Sequence, residues 1–430
     1  MKHKNVFLSF LLLILIYFPT TAISLEEAKN LALKNNSTLK AQKVKLDAAT
    51  RTKDASWNVF LPSLSLSGGL SNSHLNEAGN TSWSWSASTG LSIGLTASIP
   101  SKLKQINLTY ETELTNYSEV KQSIETQVAN SFYNLIAEAE NIKILEDSLN
   151  LSEQQYEQAK RNYNNGLISE LSLLQAQYAY LSSGPTLEKA KNAYQNSLAA
   201  FQILIGSDEI LIPEGEIQLT KLSLPSTQEL IDTYLDTRLD IQKKKLALEN
   251  ANVAKSIQSV ETYAPSINLS ENFSLSPNNQ PNTDKTVGVS GRFSVSVSIP
   301  VNGLIPGSSN NLSLKKAEDS ILTAQIDLET ARKQGANDIE AKTATINQLW
   351  KSIEISNLNL SIAERAYQLS QDGYNAGLIS QTELETSRQQ MVSAKQNVSK
   401  DETAYLIAVY DLATAINLTT EKIYQLYGQH

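Results

Sequence analysis

Two stretches of this chain, 211 residues apart (374 − 163 = 211), are near-copies of one another. The first reads Tyr163-Asn-Asn-Gly-Leu-Ile-Ser169 and the second Tyr374-Asn-Ala-Gly-Leu-Ile-Ser380. Each lies between two segments whose apolar residues recur at helical spacing, so each predicts a helical hairpin that turns at its Gly-Leu pair. This repeat constrains the fold more than any other feature, because it requires two similar halves.

The N-terminus has the features of an export signal. Lysines at positions 2 and 4 precede an apolar stretch from Val6 to Phe18, and small residues follow before Ser24. A transmembrane anchor is the alternative, but the stretch is shorter than the roughly 20 residues that a spanning helix needs. Residues 1–24 are therefore predicted to be a cleaved signal peptide, and the mature chain to be exported.

Composition excludes several classes of function. The chain has no cysteine, which rules out disulfides, zinc–thiolate sites and a lipid-modified N-terminal cysteine. The net charge is −8 without a basic run, which argues against a nucleic-acid partner. The three histidines are His3 in the signal, His74 in a polar stretch predicted to be a loop, and His430 at the end. We therefore expect no enzyme activity, no cofactor and no metal site.

Each half carries two segments with period-two alternation after a proline-terminated helix. One face is built of leucine, isoleucine, valine and phenylalanine, and the other of serine, asparagine, threonine and glycine. The pattern predicts one long β-hairpin in each half. The predicted strands cover about residues 62–71 and 83–99 in the first half, and 265–275 and 286–299 in the second.

Two interpretations of these strands remain open, a soluble sheet packed on helices or part of a transmembrane barrel. The polar face has almost no charge, and Trp83 and Trp85 lie near a strand end, where an aromatic girdle would be. Glu271 departs from the pattern on the apolar face. Four strands are too few to close a barrel, which needs about eight. The membrane interpretation therefore predicts an oligomer, since lipid-facing strand edges must be paired.

Long helical patterns run into each repeated turn. About 60 residues from Lys104 to Tyr163 keep helical spacing, as does the segment from Leu314 to Tyr374. An unbroken helix of that length would extend roughly 90 Å, which suggests a coiled coil or helical barrel. The returning helices are predicted to end near Gly206 and Asn417.

Local sequence also predicts details of these helices. A break or kink is expected only in the first returning helix, at Gly184-Pro185. Gly166 and Gly377 can adopt the left-handed conformation that ends a helix, and Ser169 and Ser380 can cap the next one.

Taken in order, these features resemble the TolC-like outer membrane efflux proteins. The order is a signal peptide, a Leu-Glu-Glu-Ala helix, a Leu-Pro-Ser-Leu-Ser-Leu-Ser strand entry, a strand ending in Ile-Pro, a Tyr-x-x-Gly-Leu-Ile-Ser tip and a second copy. The resemblance covers nearly all of the mature chain. It implies a mainly α protein with a β-barrel part, in which residues 25–212 and 227–430 are two structural repeats joined by a linker at 213–226.

The resemblance also implies an assembly and partners. Three chains would form a 12-stranded outer-membrane β-barrel continued by a periplasmic α-helical barrel. The tips, residues 163–169 and 374–380, would contact a periplasmic adaptor that links the homotrimer to an inner-membrane transporter. The implied contact residues are Tyr163, Gly166, Leu167, Ser169, Tyr374, Gly377, Leu378 and Ser380.

The family's closed pore is lined near the tips by acidic side chains. The matching positions here are Glu383 in the second half and Ser172 in the first, with Thr386 further along the helix. Ser380 and Glu383 also form a Ser-x-x-Glu capping box. Two alternative roles are therefore kept for Glu383, as a pore gate and as a helix cap.

The expected function is a passive outer-membrane export duct of a tripartite efflux or type I secretion system. The alternative is a periplasmic adaptor or helical scaffold, which also has long hairpins. Adaptors usually carry one hairpin, however, whereas this chain has two hairpins and two strand pairs.

Overall fold

A computed structural model describes residues 21–74, 81–215, 219–277 and 287–429. Within these residues the protein is mainly helical, as predicted. The helices are α1 (Leu25–Asn35), α2 (Ser37–Asp54), α3 (Ile99–Asn164), α4 (Glu170–Ile205), α5 (Thr227–Tyr234), α6 (Leu239–Tyr263), α7 (Ser309–Asn375), α8 (Gln381–Ala415) and α9 (Thr420–Tyr427). The strands are β1 (Thr21–Ile23), β2 (Ser63–His74), β3 (Thr81–Thr96), β4 (Leu211–Pro213), β5 (Ser266–Pro277) and β6 (Val287–Ser298).

The chain forms two compact units, and each draws segments from both halves of the sequence. The first contains the described residues within 21–40, 121–225 and 340–429. The second contains the described residues within 41–120 and 226–339.

The core of the first unit is formed by the apolar faces of its helices. Phe132 of α3, Phe201 of α4, Ile346 of α7 and Leu412 of α8 are almost fully buried. Tyr405 of α8 is also buried, and its hydroxyl donates to the Thr220 carbonyl at 2.8 Å and accepts the Leu222 amide at 3.1 Å. Burial raises the pKa of Tyr405 to about 12, so this hydroxyl stays protonated.

The segment just before α1 is part of this unit. Strand β1 pairs in parallel with β4, and Ile23 is buried. Ser24 caps α1 in a capping box with Glu27. The last residues of the predicted signal peptide thus belong to described elements, whereas residues 1–20 lie outside the described residues.

The two returning helices end alike. Gly206 follows α4 with φ 65°, and Asn417 follows α8 with φ 55°, again 211 residues apart. Close packing also requires glycine at position 206, because a Cβ there would lie 2.7 Å from Cβ of Asn35.

Of the two alternatives predicted at Gly184-Pro185, the break is wrong, because α4 continues through Pro185, and the kink stays a prediction. A proline inside a helix removes one main-chain hydrogen bond, and the helix persists where other contacts hold it. Here the Ser183 hydroxyl donates to the Ala179 carbonyl of the same helix at 2.8 Å, and Leu187, two residues after Pro185, is buried. The burial of Leu187 anchors the helix just beyond the proline.

In the second unit, ion pairs join α6 to both long helices. Lys243 pairs with Glu119 of α3 at 2.9 Å, and Lys244 pairs with Asp327 of α7 at 2.8 Å. Gly335 lies inside α7 without interrupting it. A Cβ at Gly335 would lie 3.0 Å from Leu235 and 3.2 Å from the Arg238 guanidinium, so the glycine permits close packing.

The second unit also contains a four-stranded antiparallel sheet in the order β2-β3-β5-β6. The two hairpins are joined through β3 and β5, with Ser92 opposite Ser270. β2 runs to His74 and β3 starts at Thr81, so both reach further than the predicted ends at 71 and 83, and His74 is not in a loop.

Candidate functional site

The two hairpin tips have the same backbone geometry. After α3, Gly166 has φ 71°, its amide donates to the Tyr163 carbonyl at 2.9 Å, and the Leu167 amide donates to the Asn162 carbonyl at 2.9 Å. These two bonds form a Schellman motif, which satisfies the last carbonyls of a helix. The left-handed conformation predicted for Gly166 is therefore confirmed.

The second tip repeats this arrangement. Gly377 has φ 74°, its amide donates to the Tyr374 carbonyl at 3.0 Å, and the Leu378 amide donates to the Gly373 carbonyl at 2.8 Å. The left-handed conformation of Gly377 is likewise confirmed. A Cβ at either glycine would meet nothing within 4 Å, so the backbone conformation alone requires glycine.

Each tip exposes a leucine to solvent. Leu167 is 71% exposed and Leu378 is 80% exposed. The isoleucine that follows each leucine is half-buried, and Ile379 lies against Gly373. An apolar side chain held outward on a rigid turn is a favourable contact point for another protein.

The two tip tyrosines differ. Tyr163 is 39% exposed. Burial raises the pKa of Tyr374, and its hydroxyl has no hydrogen-bond partner among the described residues.

The caps that follow the turns differ in charge. In the first tip the Ser169 hydroxyl accepts the Ser172 amide at 3.2 Å. In the second tip the Ser380 hydroxyl accepts the Glu383 amide at 3.2 Å, and the Glu383 carboxylate accepts the Ser380 amide at 2.7 Å. The predicted capping box is therefore confirmed. These bonds hold the pKa of Glu383 below its usual range, first through the Ser380 backbone and then through its hydroxyl.

The three candidate gate residues are all engaged locally. Ser172 lies 3.1 Å from Ser169, hydroxyl to hydroxyl, and the Thr386 hydroxyl donates to the Thr382 carbonyl at 2.8 Å. Glu383 is the charged member of the set, and its capping role leaves it exposed. A gating role for these residues stays a prediction.

Side chains near the tips join α3 to α7. Gln158 donates to the side-chain oxygen of Asn375 at 2.9 Å. Further along, Gln155 donates to the Tyr367 hydroxyl at 3.1 Å, and both side chains are buried.

A buried arginine joins α8 to α3, and sequence reasoning missed it. Arg388 is 4% exposed and makes a bidentate ion pair with Glu385, with N–O distances of 2.8 and 2.6 Å. Its other terminal nitrogen donates to the carbonyl of Ser148 at 3.2 Å and to the Ser148 hydroxyl. The Glu-x-x-Arg spacing gives a sequence signal for the pair but none for its burial.

The aromatic girdle candidates lie in the sheet, away from the tips in sequence. Trp83 is 66% exposed and Trp85 is 41% exposed, on the face that also carries Leu64 and Leu66. The opposite face carries cross-strand serine pairs, such as Ser67 with Ser88 at 2.6 Å between hydroxyl oxygens. The sheet thus separates an exposed apolar face from a face of hydroxyl groups.

Charge is sparse on this sheet. Glu271 lies between Leu91 and Phe293 on the apolar face, so the departure from the sequence pattern is present in the fold. Arg292 lies beside Asn272 on the polar face.

In the described residues, no three or more histidine, aspartate or glutamate side chains come together in a group that could hold a metal ion. Among the same residues, no helix combines the length and hydropathy needed to cross a membrane.

The first unit has a groove of about 680 Å³ lined by Lys143, Lys395 and Glu402. Burial raises the pKa of Glu402.

The sequence matches a family model described as outer membrane efflux protein, over residues 29–207 and again over residues 230–418. The chain therefore belongs to the outer membrane efflux protein family. Outer membrane protein TolC of Vibrio cholerae is 22% identical over 411 residues, covering 93% of this chain and 92% of that protein. The probable efflux pump outer membrane protein TtgC of Pseudomonas putida is 23% identical over 412 residues, covering 91% of this chain and 82% of that protein.

Solved structures of outer-membrane channels share the fold. The Campylobacter jejuni CmeC outer membrane channel superposes with a TM-score of 0.76 at 16% identity, covering 94% of this chain and 88% of that one. The outer membrane protein VceC from Vibrio cholerae gives a TM-score of 0.73 at 15% identity, covering 92% of this chain and 96% of that one.

Proposed function

We propose that this protein is a passive export duct of the bacterial outer membrane that extends into the periplasm. It would conduct substrates received from an inner-membrane transporter, in a tripartite efflux or type I secretion system. The observation that carries the proposal is the two-faced sheet. One face exposes large apolar side chains, and the other carries hydroxyl groups with little charge, as expected for a barrel that separates lipid from water.

The edges of this sheet support an assembly of three chains. Within the described residues, β2 pairs only with β3, and β6 pairs only with β5. Unpaired edges in lipid leave main-chain groups without partners, so other copies must complete the sheet. Three copies of four strands give a 12-stranded barrel, which exceeds the minimum of about eight.

Matched backbone features support the two structural repeats proposed for residues 25–212 and 227–430, with the linker at 213–226. Gly166 and Gly377 share a positive φ, as do Gly206 and Asn417, and both pairs are 211 residues apart. In the assembled duct the helices of both repeats would form the periplasmic barrel.

The tips are proposed to contact a periplasmic adaptor. Leu167 and Leu378 offer exposed apolar contacts on rigid turns. Glu383 is proposed to act as both cap and gate, because its carboxylate is ionised and exposed in the turn after Gly377. One acidic ring per trimer would follow, since Ser172 is neutral.

The ion preference of the channel tests the gate. Glu383→Gln keeps a capping side chain and removes the charge, so it should lower the preference for cations in a planar bilayer. Glu170→Gln, in the exposed first turn of α4, is the matched control. An unchanged preference for cations in Glu383→Gln would contradict the gating role of Glu383, and its capping role would stand.

A periplasmic adaptor or helical scaffold is the second candidate. It accounts for the hairpins but gives no role to a sheet with an exposed apolar face. Fractionation separates the two functions. Recovery of a heat-sensitive trimer from outer membranes supports the duct, whereas a soluble periplasmic monomer would contradict it.

A further inference from the structure

The polar face of the four-stranded sheet carries one charged residue within the described strands β2, β3, β5 and β6, and that residue is Arg292. The other positions on this face are serine, asparagine, threonine or glycine. Arg292 lies near the middle of β6 and is exposed. A guanidinium keeps its charge at any physiological pH, so this face carries a permanent positive charge at one position along the strands.

The neighbours of Arg292 on the polar face are uncharged. Asn272 lies directly opposite it on β5. On either side of this pair, cross-strand serines bond to one another through their hydroxyl groups. These bonded serines are Ser270 with Ser294, at 2.7 Å between oxygens, and Ser274 with Ser290, at 2.6 Å.

The side chain of Asn272 extends away from β6. Its amide oxygen would lie 2.6 Å from a Cβ at Gly90, the residue opposite it on β3. Asn272 therefore fills the space that the missing side chain of Gly90 leaves. The amide does not cover the guanidinium of Arg292, which stays exposed on the face.

The acidic residue of these strands, Glu271, lies on the opposite face of the sheet. It lies between Leu91 and Phe293 in the register, and its carboxylate oxygen would lie 3.7 Å from a Cβ at Gly291 on the same apolar face. The sheet therefore separates the carboxylate from Arg292, and no acidic residue of the four described strands shares the face with the arginine.

A second copy of the chain would not neutralise this charge. β6 is an edge of the sheet, and in a closed ring of copies its open edge would pair with the open edge of β2 of the next copy. The polar-face positions of β2, from Ser63 to Ser73, are serine or glycine. The positive charge of Arg292 would therefore stay uncompensated by the sheet after assembly.

We propose that the Arg292 side chains of the assembled duct form one cationic ring inside the barrel, and that this ring binds oxyanions, such as carboxylates and phosphates, of solutes in transit. It rests on the proposed function, because it needs several chains with their polar faces towards the lumen. The planar guanidinium suits oxyanions, since it donates two parallel hydrogen bonds to them.

The size of the barrel lets the ring act on the whole lumen. Strand spacing and tilt make a 12-stranded barrel about 24 Å across, so each charge lies within about 12 Å of the axis. This distance is close to the Debye length, which is about 10 Å at 0.1 M salt. Ions that pass anywhere in the cross-section should therefore feel the ring at low salt.

The ion preference of the full chain in planar bilayers tests the ring. Arg292→Gln removes its charges, so the preference for K⁺ over Cl⁻ should rise at least about threefold at 0.1 M salt. Arg292→Lys keeps the charge and should keep the native preference. The difference between Arg292→Gln and the native chain should nearly vanish at about 1 M salt, where the Debye length is about 3 Å.

Glu271→Gln is the matched control, because it removes a charge from the opposite face of the same sheet. It should change the ion preference little. Discrete channels with the native preference in Arg292→Gln, or an equally large change in Glu271→Gln, would overturn the ring and leave the proposed duct standing. A native chain that forms no channels would overturn both.

Tripolyphosphate tests the binding of oxyanions. Added to one side of the bilayer, it should block native and Arg292→Lys channels. The concentration for half block should rise at least about tenfold in Arg292→Gln, as expected for the loss of one charge-assisted hydrogen bond. Equal block of native and Arg292→Gln channels would overturn the binding.

An independent variant, Arg292→Cys, tests which face lines the lumen, because the natural chain has no cysteine. A water-soluble thiosulfonate reagent that carries an ammonium group should react with this cysteine and restore the native preference. A reagent that carries a sulfonate should instead increase the preference for cations. Phe293→Cys, on the apolar face, should not react with either reagent. Reaction at position 293 without reaction at position 292 would overturn the proposal.

Discussion

Arg388 on α8 bonds to the main chain and the side chain of Ser148 on α3, and so joins the two helical hairpins through a buried charge. The charge is balanced by Glu385 one turn earlier, whose side chain is also largely buried. Ion pairs at the surface contribute little to stability, whereas removal of one partner from a buried pair leaves an uncompensated charge.

Arg388→Met should therefore lower the free energy of unfolding by about 3 kcal/mol, since Glu385 loses its partner. The double variant with Glu385→Leu should recover most of this loss. Urea denaturation of the detergent-solubilised protein measures both. Arg365→Met is the matched control, because Arg365 is exposed on α7 and bonds to Gln368. Equal losses at Arg388 and Arg365 would contradict the buried role.

Alanine substitutions at two glycines of the first hairpin should change the free energy of unfolding in opposite directions. Gly166→Ala forces an L-residue into φ 71° and should cost about 1–2 kcal/mol. Gly184→Ala lies inside α4 with open space at its Cβ and should stabilise the helix by about 1 kcal/mol. Thermal unfolding of both variants checks the difference, and the same sign for both would count against the turn geometry.

Valine at Gly166 or Gly377 extends this prediction to function. A β-branched residue disfavours the left-handed conformation, so the backbone of the turn should change. That change should displace the exposed leucine that follows. Export in cells should be lost while trimers remain on native gels. Normal export with valine at both positions would refute a role for the tips.

Glu383 should make the second tip sensitive to acid. Its pKa is lowered in the folded protein, so its contribution is fully present above its unfolded pKa and is lost as pH falls through the folded value. Below about pH 4.5 the first turn of α8 should exchange amide hydrogen faster, because the protonated carboxyl is a poorer acceptor for Ser380.

Two comparisons make this acid effect specific. Glu383→Gln does not titrate and should show no pH-dependent change at that turn. The cap of α4 has Ser172 in the equivalent place, so the amide bonded to the Ser169 hydroxyl has no carboxylate in its cap to lose and should change little. An equal acid response at both tips, after correction for intrinsic exchange rates, would contradict the assignment to Glu383.

Local signals predicted much of this structure. The turns at Gly166 and Gly377 and the capping box at Ser380 follow from side chains within a few residues of one another. Alternation of serine with leucine likewise indicated the two faces of the sheet. These features depend on backbone conformation and periodicity, which neighbouring residues determine.

Features set by distant packing were missed. The continuity of α4 through Pro185 depends on buried neighbours such as Leu187, which the Gly184-Pro185 pair does not reveal. The buried position of Arg388 depends on Ser148, 240 residues away in sequence. Gly335 lies within the long helical pattern of the second half, but its close approach to Arg238 requires knowledge of which helices pack together.

Conductance of the purified chain in a planar lipid bilayer tests the central proposal most directly. A trimer, confirmed by native mass before reconstitution, should insert as a discrete channel with stable unitary steps. A chain that stays monomeric and leaves the bilayer insulating, although circular dichroism shows it folded and mainly helical, would contradict the proposal.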